Sequence, residues 1–399
     1  MMGRRTPTVL AACLLGSLFA TPTAQGTSDS STALIVFPKI IADGTRDTII
    51  QIVNSSDQPT TARCVYWSSS SNPPVWHATP FALPFTTGGS APKGQNPRSW
   101  VLSQGHVSIG GAVQINPCCG EVPAVAQPFQ GALLCVVTDS TGHPVSNASN
   151  LLGTATIKDL VSGDTSKYNA IGFSALSAND GNDVLCLGGA VSSGCPSGAE
   201  YQGCPLQWAL DHLAYGAQDP VIGAGSAVRT NITVVPCSQD FSTSTPSSST
   251  IAFDLHNGLE QPGATVTGWQ DLPLNAVSSQ FNASPGNTYM QTTLTPAVSG
   301  AGFLMVAEEF HDSGGAPSVT SSAALNPQLA GVRSVQDTII LPSRCTADAQ
   351  CSGGFYCSQV GVCVHKRDLG VVCASDPIDA SGNHQCLSAL CASGVCAAS

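Results

Sequence analysis

Charge is what this chain has least of. Only 10% of its 399 residues are Asp, Glu, Lys or Arg, against roughly a quarter in an ordinary globular protein. The few cations are outnumbered, 14 Lys and Arg to 25 Asp and Glu, for a formal charge of −11. Such a chain repels phosphate backbones and anionic lipid, where affinity comes from clustered Lys and Arg, so no nucleic-acid partner is expected. Beyond the first 26 residues no run reaches the roughly 18 apolar residues of a membrane span, so no transmembrane segment is expected in the mature chain. Several enzyme signatures are missing together: no Gly-x-Ser-x-Gly elbow, no His-Glu-x-x-His, no phosphate-cradling glycine loop and no EF-hand spacing. No cofactor is implied.

Apolar residues at 42%, with 40 Gly, 27 Pro and long Ser/Thr tracts, supply what the charges do not. That apolar share excludes disorder, which needs low hydrophobicity with high net charge. The length exceeds a single core, so two or three units are expected. Residues 1–26 read as a secretory leader: Arg4 and Arg5, an apolar run from Val9 to Ala20, then Ala24-Gln25-Gly26 as a cleavage site. A lipoprotein box at Leu10 to Cys13 has too little apolar sequence before it, and a twin-arginine reading of Arg4-Arg5 fits the flanks poorly. The localisation expected is secreted, extracellular or cell surface.

Seventeen cysteines become sixteen without Cys13, an even number that predicts a disulfide framework in an exported chain. Eight lie in the body (Cys64, Cys118, Cys119, Cys135, Cys186, Cys195, Cys204, Cys237) and eight in the tail (Cys345, Cys351, Cys357, Cys363, Cys373, Cys386, Cys391, Cys396). The tail set looks doubled, with Gly-Val-Cys closing at Cys363 and again at Cys396. A segment this short needs covalent staples, each contributing roughly 2–4 kcal/mol. Cys386, Cys391 and Cys396 with His384 approach a zinc spacing, but the even gaps of the first lobe do not, so disulfides are expected and no metal. The vicinal Cys118 and Cys119 are expected to take separate partners such as Cys64 or Cys135. Connectivity stays open.

Cys345, Cys351, Cys357 and Cys363, with Asp348 and Gly354-Phe355-Tyr356, resemble the cysteine-rich module at the amino end of Dickkopf proteins, and Cys386, Cys391, Gly394 and Cys396 continue the pattern. The likeness covers Cys345 to Cys396, with a longer Cys373 to Cys386 loop. It implies a fold, and its signalling role does not transfer.

The body reads as strands. Ala33 to Phe37 ends at Pro38, Thr48 to Val53 follows Asp43-Gly44, and Ala62 to Trp67 alternates as a half-buried strand. More strands are expected at Val107 to Ile115, Ala132 to Thr138, Thr154 to Ile157 and Asn231 to Val235, and one short helix at Leu206 to Ala214. The Ser/Thr tract 238–250 has a connector's composition. Thr250 to Pro262 echoes Thr48 to Pro59, suggesting a duplicated sandwich. The fold class expected is mainly β: a β-sandwich-like domain with insertions over 27–237, a linker over 238–250, a second β-sandwich-like domain over 251–342 and a small disulfide-rich C-terminal module over 343–399. The body also resembles uncharacterised exported bacterial β-rich proteins through Asp47 to Trp67, Leu210 to Val221 and Met305 to His311, which implies placement and architecture but no reaction.

Glu308, Glu309 and His311 are the strongest polar constellation, a carboxylate pair with an imidazole for acid/base or metal work, or else a solvated strand end. Asp211-His212 would diverge on a helix and reads as capping or core hydrogen bonding. Asn179 to Asp183 resembles a calcium-loop fragment but lacks the later Glu, and reads as a turn. Asn54, Asn147, Asn231 and Asn282 are glycan acceptors only in a eukaryotic host. The leading expectation is a secreted or surface-associated, non-enzymatic binding or structural protein with an extracellular protein or glycan as partner. The alternatives are a secreted hydrolase using Glu308, Glu309 and His311, and a secreted inhibitor or signalling ligand acting through the module.

Overall fold

A computed structural model describes residues 30–70, 75–85, 99–103, 129–139, 141–145, 148–178, 180–243, 247–257, 262–271, 274–277, 289–297, 301–313, 319–325, 328–329, 333–334, 336–351, 353–357, 361–366, 383–386, 388–393 and 395–398. The leader, the strand expected at Val107 to Ile115, and Cys118, Cys119, Asn147, Asn282 and Cys373 lie outside them.

The described residues are mainly β, in several antiparallel sheets, and contain no α-helix. The first sheet takes β1 (Leu34–Ala42), β2 (Arg46–Asn54), β3 (Thr60–Ser70), β4 (Val75–Phe85), β5 (Ser99–Ser103), β6 (Phe129–Thr138), β7 (Leu151–Asp159), β8 (Thr165–Asn169) and β9 (Ile171–Phe173). Its order is β4-β3-β6-β1-β2-β7-β8, with β5 on β2 and β9 on β1. Ile35, Phe37, Ile50, Cys64, Tyr66, Leu133 and Ala155 share one core, so both arms of this sheet close over a common interior.

The alternate residues of β1, β3 and β6 do not face water. Leu34, Val36, Val65, Trp67 and Leu134 belong to a second core together with the rest of the body. Ala62 to Trp67 is therefore buried on both faces rather than half-buried. The expected end of the first strand at Pro38 is also corrected: β1 continues to Ala42 through a register shift between Phe37 and Ile40. Proline cannot donate to the ladder, and the chain accommodates it with an irregularity that re-aims its neighbour, Lys39.

A three-stranded sheet joins β10 (Val184–Leu187), β21 (Asp337–Ile340) and β13 (Gln239–Asp240). Two further sheets form the second sandwich. One has the order β15-β14-β17-β11-β20, from β11 (Trp208–Leu213), β14 (Ser248–Asn257), β15 (Pro262–Asp271), β17 (Tyr289–Pro296) and β20 (Gln328–Leu329); the other is β16-β12-β18-β19, from β12 (Ala227–Pro236), β16 (Leu274–Val277), β18 (Phe303–Asp312) and β19 (Val319–Leu325). Trp208, Leu210, Phe253 and Leu294 of one sheet share their core with Ile232, Val234, Met305 and Ala307 of the other.

Three expectations change here. The helix at Leu206 to Ala214 is strand β11: Trp208, Leu210 and His212 point inward every second residue, and pairing along β17 supplies the backbone partners. A short apolar run fits either period, and the tertiary partner decides. The boundary at 238–250 does not separate the sheets, because β11 and β12 precede it yet pair with β17 and β18. Nor is the tract a free connector: Gln239 and Asp240 pair with β21, and Phe241 is buried against Trp67 with ring centroids 5.2 Å apart. The suggested duplication is not carried by the pairing, since β14 pairs with its successor β15 while β2 pairs with β1, β5 and β7.

The described residues of the C-terminal module form two hairpins, β22 (Phe355–Cys357) with β23 (Cys363–His365), and β24 (Cys391–Ala392) with β25 (Val395–Cys396). Its small cores consist largely of cystine sulfur.

Candidate binding cleft

Disulfides join Cys64 to Cys135, Cys186 to Cys195, Cys204 to Cys237, Cys345 to Cys357, Cys351 to Cys363 and Cys386 to Cys396. Cys391 is disulfide-bonded as well. Cys64 and Cys135 sit opposite each other on β3 and β6, so neither is a partner for Cys118 or Cys119. Sulfurs of Cys345, Cys351 and Cys363 lie within 4.8 Å of one another, but all three are in cystine bridges and offer no thiolate to a metal.

The body and the first lobe of the module enclose a cleft of about 540 Å³. Thr61 and Arg63 from β3, Pro80, Phe81 and Ala82 from β4, and Thr138, Asp139, Thr141 and Gly142 at the end of β6 form one wall; Arg344, Cys345, Thr346, Gln350, Gly361 and Val362 form the other. β4 is an edge strand, and Pro80 and Pro84 within it suit an edge because they withhold donors from further pairing.

Local bonds hold the walls. Asp139 Oδ1 accepts from the Thr141 and His143 amides at 2.8 and 3.0 Å, and Gly142 supplies the positive φ of 83° that the turn needs. Across the cleft, Gln350 Oε1 accepts from the Thr346 hydroxyl at 3.1 Å and the Ala347 amide at 3.2 Å. Asp348 Oδ1 accepts from the Cys357 amide at 2.8 Å.

Asp183 joins the two walls. Its Oδ1 takes Arg63 Nη1 at 2.8 Å and its Oδ2 takes Arg344 Nε at 3.3 Å. Arg63 also donates to the Pro342 carbonyl, and burial pulls its guanidinium below the usual range against the opposing charge of Asp183. Arg344 Nη1 reaches His143 Nε2 at 2.7 Å while His143 Nδ1 meets the Gly181 carbonyl at 2.6 Å. Since the carbonyl can only accept and the guanidinium can only donate, this imidazole is the neutral Nδ1–H tautomer. The calcium-like stretch is thus a turn, with Asn182 amide on Asp180 Oδ1 and both Asp183 oxygens committed to arginine.

The hydrolase trio is divided. Successive residues of β18 point to opposite faces, so Glu308 turns toward β1 while Glu309 and His311 turn the other way. Glu308 is buried and meets Lys39 Nζ at 2.9 Å, Arg46 Nη2 and the Ser166 hydroxyl. Burial pushes its pKa up, yet Lys39, Arg46 and these hydrogen bonds together pull it down to about 2. Glu309 Oε1 lies 3.1 Å from His311 Nε2 and its Oε2 accepts from the Leu213 amide at 3.0 Å. His311 Nδ1 bonds Asp219 Oδ2, whose other oxygen accepts from the Ile222 and Val221 amides at 2.8 and 2.6 Å. A carboxylate on each ring nitrogen makes a structural clamp between β18 and the 219–226 turn. Asp211 and His212 diverge by strand geometry: His212 is buried on Thr292 Oγ1 at 2.8 Å, and burial lowers its pKa, while Asp211 faces out to Gln291.

Sequence reading missed Lys39, Arg46, Arg63, Asp183 and Arg344. The signal present was a lone cation inside an apolar strand, as in Leu34 to Ala42 and Ala62 to Trp67, because a chain with 14 Lys and Arg buries one only beside a partner. No family model, curated protein or solved structure matches the chain.

Proposed function

We propose that the protein is an exported or surface-associated, non-enzymatic binding protein, whose body and Dickkopf-like C-terminal module together hold an extracellular protein or glycan. The observation that carries this reading is the cleft between them. Its lining combines an apolar floor at Phe81, Pro80 and Val362 with hydroxyls of Thr61, Thr138 and Thr346 and the guanidiniums of Arg63 and Arg344. That mixture suits recognition of an amphiphilic surface group. None of its lining residues is a histidine, and its cysteine is in a cystine bridge, so among the described residues the cleft supplies no activated nucleophile. Export is supported by the leader and by the disulfide content, since cystine bridges persist in oxidising compartments. No helix of the described residues is long and apolar enough to cross a membrane.

Crosslinking and recovery from the native extracellular fraction would test this with three baits: the full chain, the chain lacking 343–399, and Arg344→Glu. A partner captured by the first and lost from the other two supports the cleft. Equal capture by all three removes it.

A further inference from the structure

Lys39 is a lysine in a strand whose nine residues are all buried. The register shift after Pro38 points its side chain at β18, where Nζ lies 2.9 Å from Glu308 Oε2 with both side chains 1% exposed. Directly opposite Glu308 on β12 stands Asn231. Opposed residues of an antiparallel pair project from the same face with Cβ atoms about 5 Å apart. Glu308 therefore has the Lys39 amine at its carboxylate and the half-buried Asn231 as its cross-strand neighbour on the same sheet face, at the junction of the two sandwiches. The Asn231 Oδ1 is buried and has no hydrogen-bond partner among the described residues. A buried, unsatisfied carboxamide oxygen on the sheet face that a buried lysine approaches calls for an explanation beyond packing.

We propose that Lys39 and Asn231 form an intramolecular amide cross-link, with Glu308 relaying the proton. The Lys39 ammonium gives one proton to Glu308 along their contact, and the neutral amine attacks Asn231 Cγ. The new Nζ–Cγ bond forms and the Cγ–Nδ2 bond breaks. On bonding to Cγ the Lys39 nitrogen gives up its second proton as well, and the departing nitrogen takes up both protons through Glu308 and leaves as ammonium. One amide replaces another, nothing is oxidised or reduced, and Glu308 is regenerated. A lysine amine is a nucleophile only when unprotonated, and desolvation favours that form. Burial is the largest influence on Lys39 and lowers its pKa; Glu308 opposes that, and the charges of Arg46 and Arg229 add to the lowering. Arg46 and Arg229 stack on Phe310 at 5.2 and 4.2 Å from its ring centroid, which keeps both cations beside the site. Held geometry substitutes for an external catalyst, as positioned groups react far faster than free ones. The bond would tie β1 of the first sandwich to β12 of the second, across the interface that the Glu308 cluster already spans.

The test is the intact mass of the secreted, folded full chain after disulfide reduction, followed by peptide sequencing. A mass lower than the sequence by one ammonia, with a branched peptide joining the Lys39 and Asn231 segments, is the expected result. Asn231→Ala leaves the Lys39–Glu308 pair in place and should fold with the full sequence mass and no branched peptide. Asn231→Asp should form the same branch with loss of water instead. Full mass in the wild type, with Lys39 and Asn231 in separate linear peptides, overturns the proposal. So does ammonia loss without a branch, which marks a succinimide.

Discussion

Arg344, the residue before the first cysteine of the C-terminal module, places its Nε 3.3 Å from Asp183 Oδ2, while Arg63 of β3 holds the other carboxylate oxygen at 2.8 Å. One acidic side chain thereby fastens the module to the body and shapes the cleft between them. The two arms differ in weight. Arg63 is 7% exposed and Arg344 35%. The outer arm is worth well under about 1 kcal/mol, as exposed pairs are. Removing the shared carboxylate strands a buried guanidinium, at about 3 kcal/mol. Asp183→Ala should therefore loosen the module far more than Arg344→Ala. Amide hydrogen exchange across Cys345 to Cys363 would register the difference, and equal exchange in both variants would count against this ranking.

Acid should weaken the fold through Glu308, measured in Asn231→Ala, where Lys39 keeps its charge. Its pKa is depressed from 4.5 to about 2. The stabilisation it contributes is thus fully present above 4.5 and lost as pH falls through about 2. A depression of that size corresponds to about 3 kcal/mol. Denaturant midpoints measured down the acid limb should fall across this window. Ser166→Ala removes one donor to the carboxylate and should move the loss to higher pH; an unmoved limb would contradict it.

Gly302 is required by a close approach, not by its backbone angles. A Cβ there would overlap Cys204 Cβ and stand 2.7 Å from Asp337 Oδ2, which accepts the Gly302 amide at 3.1 Å. Gly302→Ala should cost about 1–3 kcal/mol by overpacking. Thermal unfolding of the variant beside Gly194→Ala, where an added Cβ meets nothing within 4 Å, would show whether the effect comes from the close approach.

Trp208 fills the second sandwich and donates Nε1–H to the Phe303 carbonyl at 2.9 Å. Trp208→Phe keeps most of the apolar volume and leaves that carbonyl unpaired, for a loss of about 1–3 kcal/mol. Trp208→Ala adds a cavity and should cost about 3–5 kcal/mol. Chemical denaturation of the two variants checks the order; a Phe variant as weak as the Ala variant would assign the whole effect to the hydrogen bond.

Composition, strand periodicity and cysteine spacing determined the architecture in outline: a β body, an end module whose cores are mostly cystine, and turns at Asp43-Gly44 and Asn54 to Asp57. These are legible because burial on one strand face and covalent stapling leave local patterns that need no partner to read. Tertiary structure alone decided the rest. Leu206 to Ala214 became a strand because β17 offered it a ladder, and Pro38 became an irregularity because β6 continued past it. Glu308 parted from Glu309 because strand neighbours face opposite ways, and Asp183 met Arg63 and Arg344 from 120 and 161 residues away. Spacing along the chain encodes which face a side chain takes, but ion pairs, clefts and opposed strands arise only when distant segments are brought together, and nothing local records that distance.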